Sequence, residues 1–423
     1  MSKIRNFFYS NLFRVSSLNS LSLLIRIFTG LVSSWAISRL VGPSGMALMG
    51  NFRSFTSSLE AVGTLGLQNG IVKTIAEKQK DKKEVYTLLS TVFYVLLGFS
   101  ALLSSCVFFN SDYFTITLLN GNMQYELAFK IVALTVPFGI LHLFFTAVIN
   151  GFSAYKKVIS TTIFSHVFGL FLTVFLMWKW GVLGALLAVS LLSIFLFCFS
   201  GFYFTKLVSV STLLDFQNFD FNQIKKIWVY ASMALFSAIV SPLIYIYIRK
   251  LIMQFQSLEA SGFYEAMNRI SSFYMMFITS LVSLYFLPEM SKTIRIVDNK
   301  PIIYQYYKTI FPVFALGLVL LYFMRDTVVE ILYTDEFSSV SNLFIWQLVG
   351  DFFRAATLIL AIQFFAKRIV KTYFITEVLS FSILCISSYY CIQNFGLEGA
   401  VMAYAITYVL YFLAIVFYFR KML

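Results

Sequence analysis

Charge is scarce in this chain. Only 12% of its 423 residues are Asp, Glu, Lys or Arg, 59% are hydrophobic, and the mean hydropathy is +0.82. A soluble domain is about a quarter charged and about half apolar. The composition therefore excludes a soluble fold, and with it the two or three soluble domains that length alone suggests. Histidine is nearly missing. His142 and His166 are the only two, both in apolar runs, where packing or a helix–helix hydrogen bond is the expected role. The four cysteines, Cys106, Cys198, Cys385 and Cys391, form no CxxC pair and no metal-ligand spacing, which leaves structural thiols and no metal site. No HExxH, Walker A or GxSxG sequence occurs. The usual signatures of zinc hydrolysis, ATP use and acyl transfer are thus lacking. No enzyme activity and no cofactor are expected, and a driving force has to come from an ion gradient or the substrate's own gradient. A cleavable signal is not expected either, because the first apolar run is long and contains Arg26.

What is plentiful is apolar and aromatic residues, including 49 Phe. A spanning helix needs about 20 mostly apolar residues. Twelve segments approach that length, near 18–41, 46–69, 84–109, 125–149, 157–178, 182–206, 224–250, 260–287, 303–324, 339–366, 368–392 and 397–419. The fold class is therefore an all-α polytopic membrane protein. Residues 1–17, with Lys3, Arg5 and Arg14 among Phe and Leu, read as a basic interfacial segment.

The net charge of +13 does not indicate nucleic acid, because the basic residues sit in short clusters between apolar runs. Lys73, Lys78, Lys80, Lys82 and Lys83 share one side with Lys156, Lys157, Lys206, Lys225 and Lys226. Lys292, Arg295, Lys300, Lys308, Lys367, Arg368, Lys371, Arg420 and Lys421 fall there too. The other side holds Arg39, Lys179, Arg249, Lys250 and Arg325. The positive-inside rule then puts both termini in the cytoplasm.

An internal repeat accompanies this topology. Gly45 to Arg53 opens the second span as Gly262 to Arg269 opens the eighth. Lys156-Lys157 matches Lys367-Arg368, and Gly181-Val-Leu-Gly184-Ala185 matches Gly396-Leu-Glu-Gly399-Ala400. Six helices separate the copies, so both halves share one orientation, the parallel duplication that builds two bundles around a cavity. The expected division is a six-helix bundle over 1–206, a cytoplasmic linker over 207–223 and a second six-helix bundle over 224–423.

Five bases fall well inside these spans: Arg26, Arg53, Lys130, Arg269 and Arg354. Glu60, Glu126, Glu265, Asp351 and Glu377 accompany them. A charge at a helix centre costs roughly 2.5–3.5 kcal/mol on the insertion scale. Five lipid-facing bases would cost roughly 12–17 kcal/mol, as much as the whole net stability of a protein, about 5–15 kcal/mol. They must face protein or water. Gln347, Asp351 and Arg354 share a helix face, as do Glu265, Arg269 and Ser272. Glu126 with Lys130 reads as an interfacial pair. Glu265 with Arg269, and Asp351 with Arg354, read either as local pairs or as ligand-facing groups. Arg26 could partly snorkel, whereas Arg53 has no acid at i±3 or i±4. A water-filled cavity lined by arginine suits a phosphate-bearing anion, which guanidinium grips bidentately. Embedded carboxylates are proton carriers by default, and Asp351, Glu60, Glu265 and Glu377 are the ion-coupling candidates.

Arg39-Leu-Val-Gly42-Pro43-Ser-Gly45 resembles the signature of polysaccharide exporters in the multidrug/oligosaccharidyl-lipid/polysaccharide superfamily. Asn51-Phe52-Arg53, Leu287-Pro288-Glu-Met-Ser291 and Trp346-Gln347-Leu-Val-Gly350-Asp351 resemble its Wzx-type flippases, the O-antigen translocases and the WzxE-like lipid III flippases. The likeness spans nearly the whole chain. It implies a V-shaped pair of six-helix bundles around a cationic cavity. The implied cargo is an undecaprenyl-pyrophosphate-linked oligosaccharide, an O-antigen unit or enterobacterial common antigen lipid III. Transport would run from the cytoplasmic to the periplasmic leaflet of the bacterial inner membrane by alternating access, coupled to an ion. Membrane lipid, a polysaccharide polymerase and a chain-length regulator are the other partners it implies. Arg53 and Asp351 carry over in their motifs, and Arg26 and Arg354 sit where the family has a basic residue. Arg269 and Glu265 depart from the pattern, which has small polar residues there, so their roles rest on the charge argument. A cation-coupled multidrug exporter of the same superfamily is the alternative, but it would want an acidic cavity. A membrane enzyme such as a polymerase would want a long outer loop, and the outer loops here are short.

Overall fold

The computed structural model describes residues 11–79, 81–214, 216, 219–293 and 295–420. The first ten residues of the expected interfacial segment, together with Lys80 and Lys421 of the charge pattern, lie outside the described residues.

The described residues contain helices and no strand. In the first half these are α1 (Asn11–Leu40), α2 (Gly42–Gly63), α3 (Gln68–Lys78), α4 (Lys82–Phe109), α5 (Ser111–Leu118), α6 (Glu126–Gly151), α7 (Tyr155–Thr205) and α8 (Val210–Leu214). In the second half they are α9 (Asn222–Phe255), α10 (Leu258–Lys292), α11 (Ile296–Phe323), α12 (Arg325–Leu332), α13 (Phe344–Ala366) and α14 (Val370–Phe419). Nine helices among the described residues are long and apolar enough to cross a membrane. Two of them, α7 and α14, are 51 and 50 residues long and kinked in the middle, so each makes two passes. Adding α2, a 22-residue helix of lower hydropathy, gives the twelve passes that the apolar runs predict.

The predicted ends shift where local chemistry intervenes. The second span runs 42–63 rather than 46–69, because Leu65 and Gly66 take left-handed φ values of 50° and 63° and break it. The basic stretch after it is the amphipathic helix α3, which buries Ile71 and Ile75 under Lys73 and Lys78. Asp81 caps α4 by accepting from the Glu84 amide, and Ser257 caps α10 by accepting from the Ala260 amide. α10 and α11 each contain a π-helical turn, Val282–Phe286 and Tyr306–Ile310. Pro288 and Pro312 follow directly, and a proline without an N–H widens the turn before it. The described residues of 207–223 are docked rather than loose. Ser90 and Tyr94 of α4 donate to the carbonyls of Leu213 and Leu214, and the Asp220 amide donates to Thr91.

The helices pack as two compact units, one of Met1–Ser33 and Asn51–Pro242, the other of Ser34–Gly50 and Leu243–Leu423. Phenylalanine fills the first. Phe144, Phe145 and Phe204 cluster where α6 meets α7, and the last two stack at 4.5 Å. The second uses tyrosine: Tyr306 and Tyr307 donate to the carbonyls of Ala355 and Ala356 at 2.9 and 2.6 Å.

The repeat is geometric as well as sequential. Gly181 and Gly396 bend α7 and α14 at φ 56°, ψ −135° and φ 58°, ψ −135°, a region open to glycine alone. Ser153 and Arg368, each in the turn before a kinked helix, match at φ 58° and 56°. Three residues past each kink a second glycine packs on main chain. A Cβ at Gly184 would lie 1.9 Å from the Leu176 carbonyl oxygen, and one at Gly399 would lie 2.0 Å from that of Cys391. Gly184→Ala and Gly399→Ala should each lower stability by about 1–3 kcal/mol or more. Equal downward shifts in the melting temperature of the detergent-purified protein would bear this out.

Candidate functional site

Two buried polar clusters form in the second unit. In the first, Glu265 of α10 lies between two guanidiniums. Arg249 Nη1 donates to its Oε2 at 2.8 Å and Arg269 Nε to its Oε1 at 3.2 Å. Arg249 is 2% exposed and also donates to the Gly50 carbonyl at 3.1 Å, while Arg269 reaches Ser34 Oγ at 3.5 Å. A Cβ at Gly50 would lie 2.7 Å from the Glu265 carboxylate, and one at Gly262 would lie 2.0 Å from the Pro43 carbonyl oxygen. Glycine at these positions is what lets the end of α1 and the start of α2 close onto α10. Two guanidiniums share one carboxylate, so the cluster keeps a net positive charge, and Arg269 Nη2 is buried with no hydrogen-bond partner among the described residues. The predicted pairing of Glu265 with Arg269 is present. Arg249, grouped from sequence with the loop charges of the outer side, lies inside α9 as a buried member of the cluster. The apolar run Leu251-Ile252-Met253 after it carries α9 on to Phe255, and that was the available signal.

In the second cluster Asp351 is fully buried and bound by neutral donors. Ser271, Tyr274 and Gln347 donate to Oδ2 at 2.7, 2.5 and 3.2 Å, and Tyr404 donates to Oδ1 at 2.7 Å. Arg354 does not pair with Asp351 directly. Its Nη1 donates to the Tyr404 hydroxyl at 3.1 Å, and its guanidinium lies 5.6 Å from the Tyr408 ring. The line continues from Tyr408 to Tyr411, which donates to Glu377 at 3.4 Å. Tyr404, Tyr408 and Tyr411 stand at i, i+4 and i+7 on α14, a stripe visible in the sequence but overlooked because it is uncharged. The α10 serine in this network is Ser271; Ser272 is exposed and bonds its own helix at the Asn268 carbonyl. A Cβ at Gly350 would lie 2.4 Å from the Tyr404 ring. Gly350→Ala should push Tyr404 aside and loosen both Asp351 and Arg354. The phenotype should match that of Tyr404→Phe in an export assay, and full activity of the alanine variant would count against this geometry.

The remaining candidates belong to the first unit. Arg53 is half-buried on α2. Arg26 is exposed on α1 between exposed Leu24 and Phe28. Glu60 is half-buried near the C-terminal end of α2, its Oε1 close against Gly139 of α6. Glu126 and Lys130 form the expected half-exposed pair at 2.9 Å. His142 bonds the Leu196 carbonyl at 3.1 Å and Ser200 at 3.0 Å, the helix–helix role expected of it. The four cysteines are free thiols.

Twelve passes with buried charges at membrane depth define a polytopic membrane protein, and its fold is that of MOP superfamily transporters. The backbone matches an inward-facing multidrug-resistance MATE family transporter of that superfamily with a TM-score of 0.75 at 13% identity, covering 94% of this chain and 95% of that one. It matches the lipid II flippase MurJ in an inward closed conformation with a TM-score of 0.73 at 15% identity, covering 96% of this chain and 87% of that one. The family model described as "Polysaccharide biosynthesis protein" matches residues 36–342, and the chain belongs to that family. It is 26% identical over 406 residues to the lipid III flippase of Escherichia coli (strain K12), covering 95% of this chain and 96% of that protein. The lipid III flippase of Shigella flexneri gives the same values.

Proposed function

We propose that the protein flips an undecaprenyl-pyrophosphate-linked oligosaccharide from the cytoplasmic to the periplasmic leaflet of the bacterial inner membrane, both termini being cytoplasmic. The observation that carries this reading is the full-length likeness to lipid III flippases, joined to the arginines held at membrane depth. Transport runs by alternating access of two six-helix bundles, 1–206 and 224–423, joined by 207–223. Arg53 and Arg354 grip pyrophosphate, with Arg26 and Arg269 supporting them. Arginine suits this because its planar fork matches phosphate oxygens and stays charged. Asp351, Glu60, Glu265 and Glu377 are the ion-coupling set, with Asp351 foremost because it reaches Arg354 through a single hydroxyl. A polysaccharide polymerase and a chain-length regulator receive the product.

Deleting the gene should stop surface polysaccharide and leave lipid-linked repeat units in the inner leaflet, and the full-length chain should restore both. Unchanged surface polysaccharide in the deletion strain, with a new sensitivity to cationic drugs, would replace this reading with the drug-exporter one.

A further inference from the structure

A cavity of about 210 Å³ lies in the first unit, at the corner between α2 and α3. Ser57, Glu60, Thr64, Gln68 and Asn69 bring a carboxylate, two carboxamides and two hydroxyls to it, while Leu143 of α6 and Ala234 and Ala238 of α9 supply an apolar wall. Thr64 donates to the Ala61 carbonyl and keeps its lone pairs. The side chains of Ser57, Glu60, Gln68 and Asn69 make no hydrogen bond or ion pair with another described residue. Gly139 brings the α6 backbone against this corner, and a Cβ there would lie 3.0 Å from Glu60 Oε1 and 3.4 Å from Ser193 Oγ.

Convergent polar groups without protein partners mark a place for a polar ligand. Size decides which kind. A water molecule's share of liquid volume is about 30 Å³, so the cavity is several times too large for one water or a bare cation. The chemistry agrees. A pyranose ring presents hydroxyls that both donate and accept on its edge and C–H groups on its face. Carboxamides and hydroxyls answer the edge, a lone carboxylate accepts from paired hydroxyls or an amino group, and small apolar side chains receive the face. We infer that this pocket is a glycan subsite that seats one hexose or amino-hexose ring of the lipid-linked oligosaccharide and reads its identity, apart from the arginines that grip pyrophosphate. The inference rests on the flippase reading.

The test uses proteoliposomes of the purified full-length chain and two probes: undecaprenyl pyrophosphate carrying one sugar, and the same carrier with its complete repeat unit. A soluble pyrophosphatase added outside cleaves only carrier that reaches the outer leaflet, whatever glycan it bears. Asn69→Ala removes an exposed side chain and Ala238→Leu fills the cavity from an exposed position, so neither disturbs the core. Each should slow movement of the complete-unit carrier by about tenfold or more, since a site built to bond a hydroxyl discriminates strongly. Movement of the single-sugar carrier should stay within about twofold of wild type. Equal slowing of both carriers, or no slowing of either, overturns the glycan subsite. A change confined to pH or sodium dependence also overturns it and makes the pocket an ion site. If the wild-type chain moves neither carrier, the flippase reading itself has failed and the subsite falls with it.

Discussion

Arg53→Ala should insert and accumulate like the wild type and yet export no surface polysaccharide. Arg53 stands half-buried on α2 in its Asn-Phe-Arg setting, with no acid at i±3 or i±4. A guanidinium that binds pyrophosphate in a low-dielectric cavity holds it by charge-assisted, bidentate bonds. Truncating one partner of such a pair costs about 2–5 kcal/mol, which is roughly 30- to several-thousand-fold in binding. Export should fall to a few per cent or less, while immunoblots of the membrane fraction show normal protein. Arg53→Lys keeps the charge and loses the fork, so it should restore part of the activity. Normal surface polysaccharide in the alanine variant removes Arg53 from the substrate site.

Glu265→Ala should fail earlier, in folding. It leaves Arg249 and Arg269 buried side by side with no carboxylate, and breaking a buried pair in this way costs about 3–5 kcal/mol. That is a large part of a net stability of about 5–15 kcal/mol. Detergent extracts should contain little monodisperse protein. Adding Arg249→Met to the same chain removes one of the two stranded charges and should recover part of the yield. If Glu265→Ala alone is as abundant and as heat-resistant as the wild type, the carboxylate does not hold this cluster together.

Composition and periodicity give the fold class, because an apolar run of about 20 residues has one stable solution in a bilayer. The repeat was legible at its glycines, since Gly181, Gly184, Gly396 and Gly399 are each required by backbone geometry rather than by side-chain packing. Helix ends were less so. Leu65 takes a left-handed φ that no residue type announces, and the π turns before Pro288 and Pro312 leave no periodic trace. Among the site residues, charge made Arg269, Glu265, Asp351 and Arg354 conspicuous, and spacing along one helix paired the first two. Spacing is blind to partners on other helices. Arg249 is sixteen residues from Glu265, and Tyr404 is fifty-three from Asp351. Neutral hydroxyls also give no signal in a census of charges, which is why the link from Asp351 to Arg354 through Tyr404 was invisible.

Gly50 has no side chain, and the space a Cβ would fill is taken by the Glu265 carboxylate. The Gly50 carbonyl accepts from Arg249, the same guanidinium that donates to that carboxylate. One residue without a side chain therefore serves the cluster twice, as room for the anion and as an acceptor for the cation.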